Sequence, residues 1–256
     1  MNRFLLIPES IYLGICLLLS TGALAAENQC IDCHQNAAFY VEYPKLYEYF
    51  QEWQVSPHQL AGVTCDDCHG GDANAETSDD AHVGVLAMND AQSTLHYQNQ
   101  PQTCGQCHSE NRAQFTQSKH YEALMGQRAA PTCTSCHPAM SRRPEYRVIV
   151  LNACRNCHGP GNSENLPVIT DQAENVFHQL NIAGGFLGWT QIHFESQGWP
   201  DDSRERVRDL DMRYRATLNQ VHQFDLEQTD DATNTMLREL REIFDAARQA
   251  HEQQRE

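Results

Sequence analysis

The chain has 256 residues, 40% of them hydrophobic and 8% aromatic. That is length enough for one or two domains, but a thin apolar inventory for one large core. Eighteen Lys and Arg against 34 Asp and Glu give a formal net charge of −16. This argues against nucleic acid and anionic membrane surfaces as partners and is compatible with a basic one.

Residues 1–25 read as a secretory signal. Arg3 supplies a positive n-region, Ile11 to Leu19 an apolar h-region, and Ala23-Leu24-Ala25 an A-x-A cleavage site. Pro8 and Glu9 interrupt the leader. An uncleaved anchor is the alternative, against which the apolar run falls short of the roughly 20 residues that span a bilayer. Ile15 before Cys16 is a poor lipoprotein signal. The first Cys-x-x-Cys-His unit, Cys30–Cys33–His34, follows soon after. Phe39 to Trp53 is rich in aromatics (Tyr40, Tyr43, Tyr47, Tyr49, Phe50), which either line a cofactor edge or form the apolar face of a short helix after Pro44. Ser56-Pro57-His58 then leads into Thr64 and the second unit, Cys65–Cys68–His69. Ser118-Lys119-His120 likewise precedes Thr132 and the fourth unit, making Ser-x-His the nearest thing to an internal repeat. Between Gly70 and Asp80 lies an acidic solvated loop. His82 and His96 precede the third unit, Cys104–Cys107–His108. The fourth and fifth, Cys133–Cys136–His137 and Cys154–Cys157–His158, follow at short spacing.

Beyond Gly161 there are no further Cys. Thr170 caps a predicted helix through Val176, Phe177 and Leu180 that Gly184-Gly185 should end, with a second helical piece from Trp189 to Phe194. Pro200-Asp201-Asp202 reads as a helix start. Val207, Leu210, Tyr214, Leu218, Val221 and Phe224 stripe that helix. Thr229-Asp230 opens a last one, striped by Met236, Leu240, Ile243 and Ala247, and the end from His251 to Glu256 should fray.

Ten of the eleven Cys lie in the five units. At this chain's own Cys and His frequencies about 0.02 such units are expected by chance. Cys-x-x-Cys-His is the attachment pattern of c-type haem: Cys30, Cys33, Cys65, Cys68, Cys104, Cys107, Cys133, Cys136, Cys154 and Cys157 bond the porphyrin, and His34, His69, His108, His137 and His158 ligate iron. Zinc knuckles do not require a His after every second Cys, and a disulfide scaffold has no reason to have one. Eight histidines remain for five distal positions. His58 and His120 in the Ser-x-His units lead, then His82, His96 and His222; His178 and His193 rank below them, and His251 reads as solvent-exposed. The fold expected is mainly α: short helices and loops wrapped around five covalently bound haems over 26–165, then a C-terminal helical hairpin or bundle over 166–256. Haem faces replace much of the missing core.

On the Ser-x-His segments, on Gly62-Val63-Thr64-Cys65-Asp66-Asp67-Cys68-His69-Gly70-Gly71-Asp72 and on Pro131-Thr132-Cys133, the chain resembles the multihaem cytochrome c superfamily. That superfamily includes the tetrahaem cytochrome of nitrifying bacteria, pentahaem nitrite reductase and hydroxylamine oxidoreductase. The resemblance implies C-terminal helices that support homo-oligomers and can donate a distal ligand such as His222. All five units end in His, so the catalytic haem of the nitrite reductases, whose proximal ligand is Lys, is not carried over.

The leading expectation is an exported, periplasmic electron carrier with mostly bis-His haems. Its redox partners would be a quinol dehydrogenase, a terminal reductase or another cytochrome. The alternative is an oxidoreductase with one open haem acting on a small nitrogen or sulfur oxyanion. Arg112, Lys119, Arg128, Arg142, Arg143 and Arg147 are its candidate cations, which otherwise pair propionates or form a docking patch. An anchored quinol dehydrogenase and an extracellular haem polymer are lesser alternatives.

Overall fold

The structure, a computed structural model, describes residues 28–137, 146–162, 165–198 and 203–253. The predicted leader with Arg3 and Cys16, the pair Arg142 and Arg143, and the Pro200-Asp201-Asp202 helix start lie outside the described residues, as do the side chains of Arg147 and His251. Among the described residues there are fourteen α-helices, one 3-10 turn and no strand. The mainly-α expectation therefore holds.

From Gln29 to Cys136 the chain forms ten short helices of 4–11 residues. Their brevity follows from the punctuation. Pro44, Pro57 and Pro101 sit in first turns, where a missing N–H costs nothing, and Asn28, Asn36, Ser56, Thr77 and Ser118 are side-chain caps. The buried apolar side chains of this region are Phe50, Trp53, Ala73, Pro101, Phe115 and Leu124. Such a sparse set cannot offset chain entropy over this length without further apolar surface.

The second half is built differently. After the Tyr146–His158 helix come three long tail helices, Pro167–Gln197, Ser203–Gln220 and Leu226–Gln253, the last two joined by a 3-10 turn at Val221–Gln223. Each buries residues at helical steps of three, four or seven: Thr170, Ala173, Val176, Leu180, Ala183, Leu187, Thr190 and Phe194 on the first; Ser203, Val207, Leu210 and Thr217 on the second; Thr229, Thr233, Met236, Leu240 and Ile243 on the third. That is the seam of helices packed side by side. Leu187, Phe194, Val207, Leu210, Met236, Leu240 and Ile243 form one cluster with Tyr214 against it. The buried Thr hydroxyls cost little, since each donates to the carbonyl four residues back: Thr190 to Phe186 at 2.7 Å, Thr217 to Arg213 at 2.9 Å and Thr233 to Thr229 at 2.7 Å.

The first tail helix runs straight through Gly184-Gly185, where a break was expected. Gly184 is there for packing. A Cβ at this position would collide with the Tyr214 phenol of the second tail helix. Among the described residues no helix is long and apolar enough to cross a membrane.

Candidate haem-ligation site

The Cys-x-x-Cys-His units form short helical turns. Cys30 and Cys33 lie in Gln29–His34, Cys65 and Cys68 in Cys65–His69, Cys133 and Cys136 in Cys133–Cys136, and Cys154 and Cys157 in Tyr146–His158. A spacing of three puts both sulfurs on one side of such a turn. In the third unit Cys104 ends a helix, and the amides of Cys107 and His108 both donate to its carbonyl. Thr64 and Thr132 stand immediately before Cys65 and Cys133 as caps. The Thr64 amide donates to Asp67 Oδ2 at 2.8 Å and the Thr132 amide to Ser135 Oγ at 3.0 Å.

The Ser-x-His repeat has the same logic. Ser56 and Ser118 are N-caps, accepting from the amides of Gln59 at 3.2 Å and Tyr121 at 3.0 Å. Each His is therefore the second residue of a short helix capped by a buried serine. His82 arrives by a glycine device. Gly70 (φ +73°) and Gly71 (φ +92°) turn the chain, and any Cβ on Gly71 would meet Ala81 O and Val85. The segment ahead of His82 can thus lie against the second unit, with the Asp72 amide donating to Ala81 O at 3.0 Å.

Four unit histidines each face a histidine from outside the units. Ring centroids are 6.2 Å apart for His34 and His82, 6.2 Å for His108 and His58, 6.0 Å for His137 and His222, and 6.0 Å for His158 and His120. Two metal–nitrogen bonds of about 2 Å, with half a ring beyond each, span roughly 6 Å. The pairs therefore have the separation that one iron between two imidazoles requires. The nitrogens are prepared for it as well. His82 Nδ1 lies 2.7 Å from Ser78 O and His222 Nδ1 2.9 Å from Asn219 O. Donation there fixes the tautomer that leaves Nε2 a lone pair. Burial, and for His34, His120 and His137 the facing histidine after it, lowers the pKa of His34, His69, His120 and His137, favouring the neutral, ligating form.

The cysteines show how the units lie relative to one another. The Cys65 thiol is pushed up to about 11, first by burial and then by neighbouring Cys30. Burial and then Cys104 raise Cys68. Cys104 and Cys133 hydrogen-bond to each other, which raises the first and lowers the second to about 7. Burial and then Cys154 push Cys136 up to about 11. These thiols are the atoms that a porphyrin edge would convert to thioethers. Consecutive units thus lie near one another, in sequence order. Between the first two, Asn28 Nδ2 donates to Asp66 Oδ1 at 3.1 Å, and the Gln29 amide to Ala73 O at 2.8 Å.

Residues 19–70, which contain the first two units, match the family model "Cytochrome c554 and c-prime". No curated protein and no solved structure matches the chain. The match supports a multihaem c-type cytochrome. Cysteines in pairs, each pair followed by an imidazole that in four of the five units has a second imidazole opposite, are the donor set that covalently bound haem needs, so the residues present fit the group.

Not every predicted ligand is drawn into a pair. His96 is 9% exposed and packs on Tyr97 at 4.4 Å, in a pocket with Met88, Asn89, Leu95 and Gln100. No ring contact joins it to a unit histidine among the described residues. His69 likewise faces no second imidazole there. His193 stacks on Trp189 at 4.7 Å, far along the first tail helix, and His178 is exposed on the same helix. The supports for the paired histidines were not visible in advance. The carbonyls of Ser78 and Asn219 are backbone groups with no residue-type signal. Phe224 read as one more residue of a helical stripe; instead it ends the 3-10 turn with φ 60° and lies against His120.

Proposed function

We propose that the protein is an exported electron carrier with five covalently attached c-type haems, one at each Cys-x-x-Cys-His unit, passing electrons between redox partner proteins. The observation that carries this reading is the set of four facing histidine pairs at 6.0–6.2 Å. Filling both axial positions with imidazole suits one-electron transfer and leaves no room for substrate. His34 with His82, His108 with His58, His137 with His222 and His158 with His120 are the ligand pairs this implies. Bound haem supplies the one-electron Fe(III)/Fe(II) couple. The chain's own residues anchor it through ten cysteines, orient the imidazoles through backbone carbonyls and caps, and bring consecutive units near one another so that electrons cross short gaps. The partners this suits are a quinol dehydrogenase, a terminal reductase or another cytochrome, met in the periplasm.

A second reading is favoured by one observation, the absence of a facing imidazole at His69 among the described residues. In that reading the haem of Cys65–Cys68–His69 has an open axial position and binds a small nitrogen or sulfur oxyanion. Low-temperature EPR of the oxidised protein, with and without nitrite or hydroxylamine, separates the two. Low-spin signals alone, unmoved by either ligand, are the carrier's result. A high-spin signal that shifts on adding ligand, and that a His69 variant removes, establishes the open haem.

A further inference from the structure

His82 and His222 are tethered by their own backbones, Nδ1 to a carbonyl three or four residues earlier. His120 is not. Its Nδ1 is buried and has no hydrogen-bond partner among the described residues. An imidazole lacking that bond can swing about its side-chain torsions unless a neighbour blocks it. The neighbour is Phe224. Its ring stands edge-on to His120, centroids 4.4 Å apart at 83°, and is backed in turn by buried Phe115 at 6.3 Å.

The backbone at Phe224 has φ 60° and ψ 26°, the left-handed region where a Cβ is unfavourable and where Gly or Asn is the usual occupant. The turn around it is clasped to the Ser109–Phe115 helix. Asn111 Nδ2 donates to Asn219 Oδ1 at 3.1 Å, Asn219 Nδ2 to Glu110 Oε2 at 2.6 Å, and the Gln223 amide to Gln114. A large aromatic side chain kept in a backbone conformation that disfavours it suggests that the ring's contact is what matters at this position. We infer that Phe224 is a positioning residue for His120, setting the plane of the imidazole that faces His158. The clasped turn that carries His222 toward His137 thereby also steers the ligand of the neighbouring unit.

This inference rests on the reading that His120 and His158 are the two axial ligands of one iron, and the test separates the two ideas. Purified holoprotein is compared as wild type, His120→Met, Phe224→Gly and Phe224→Tyr, by low-temperature EPR and potentiometric titration, with haem content measured for each. His120→Met identifies the signal in question by abolishing or displacing it. Phe224→Gly removes the ring and relaxes the backbone. It is expected to shift the largest g-value and the midpoint potential of that same haem and leave the other signals in position, while Phe224→Tyr, which keeps the ring, leaves all of them in position. A fully haem-loaded Phe224→Gly protein with that signal unmoved overturns the inference, and so does a shift of every signal together, which marks general loosening. Should Phe224→Gly not assemble, Phe224→Leu, equally without a flat ring, is judged by the same criterion. If His120→Met alters no haem, the ligation reading fails and the inference falls with it.

Discussion

At the scale of single residues, the facing histidines differ in how they are held, and their spectra should differ accordingly. The His137 and His222 rings are nearly parallel at 12°, whereas the His108 and His58 rings cross at 73°. Parallel imidazoles split the iron d-orbitals that bond to them, and crossed ones leave those orbitals nearly degenerate. The haem of Cys104–Cys107 should therefore give the most anisotropic low-spin EPR signal and that of Cys133–Cys136 the most rhombic. Exchanging His58 for Met should remove the first of these and raise that haem's potential, because a thioether favours the reduced iron. The other signals should stay in place. A spectrum of His58→Met identical to wild type would show that His58 is no ligand.

At the scale of elements, the molecule divides its stability between two devices. The first half relies on capped turns and sparse apolar contacts, the tail on a three-helix seam braced by the Arg213–Glu239 ion pair at 2.9 Å between the second and third helices. That pair is more than a third exposed and contributes less than about 1 kcal/mol. The packing of the first tail helix is worth more and can be read from its glycines. Gly184→Ala places a methyl group against the Tyr214 phenol oxygen and should cost about 1–3 kcal/mol. Gly185→Ala, one residue on, meets nothing within 4 Å and should gain up to about 1 kcal/mol from helix propensity. Urea unfolding of both variants followed by far-ultraviolet circular dichroism gives the two signs. Equal effects would mean that the helix is broken at this point after all.

At the scale of the whole molecule, five units near one another in chain order make a one-dimensional arrangement, and the charge around it decides who can approach its ends. A net charge of −16, to which propionates would add, repels anions and attracts cations over distances near the Debye length. Stopped-flow reduction by dithionite, an anion, should accelerate as salt is raised, and reduction by a cationic reagent should slow. A rate indifferent to salt for both would mean that the exposed haem edges lie outside the protein's acidic field. The same field would favour a basic redox partner and oppose anionic oxyanions.

Much of this was legible in the residues alone, because the signals are local. Cys-x-x-Cys-His needs one turn of chain to work, Ser-x-His is an N-cap and its second helical residue, and the stripes of Val207, Leu210, Met236, Leu240 and Ile243 follow the helical repeat whatever they pack against. What could not be read there depends on contacts between distant segments. Pairing His82 with a unit that ends 48 residues earlier, at His34, needs the close approach that Gly71 permits. Pairing His222 with His137 needs the clasp from Asn111 to Asn219. Gly184 reads as a helix stop until Tyr214 is seen against it, and only the fold shows that the segment of His96 lies by the second unit, where the Thr94 hydroxyl donates to Cys68 O at 2.6 Å. Residue type states what a side chain can do; which partner it meets is set by packing free energy summed over the whole chain.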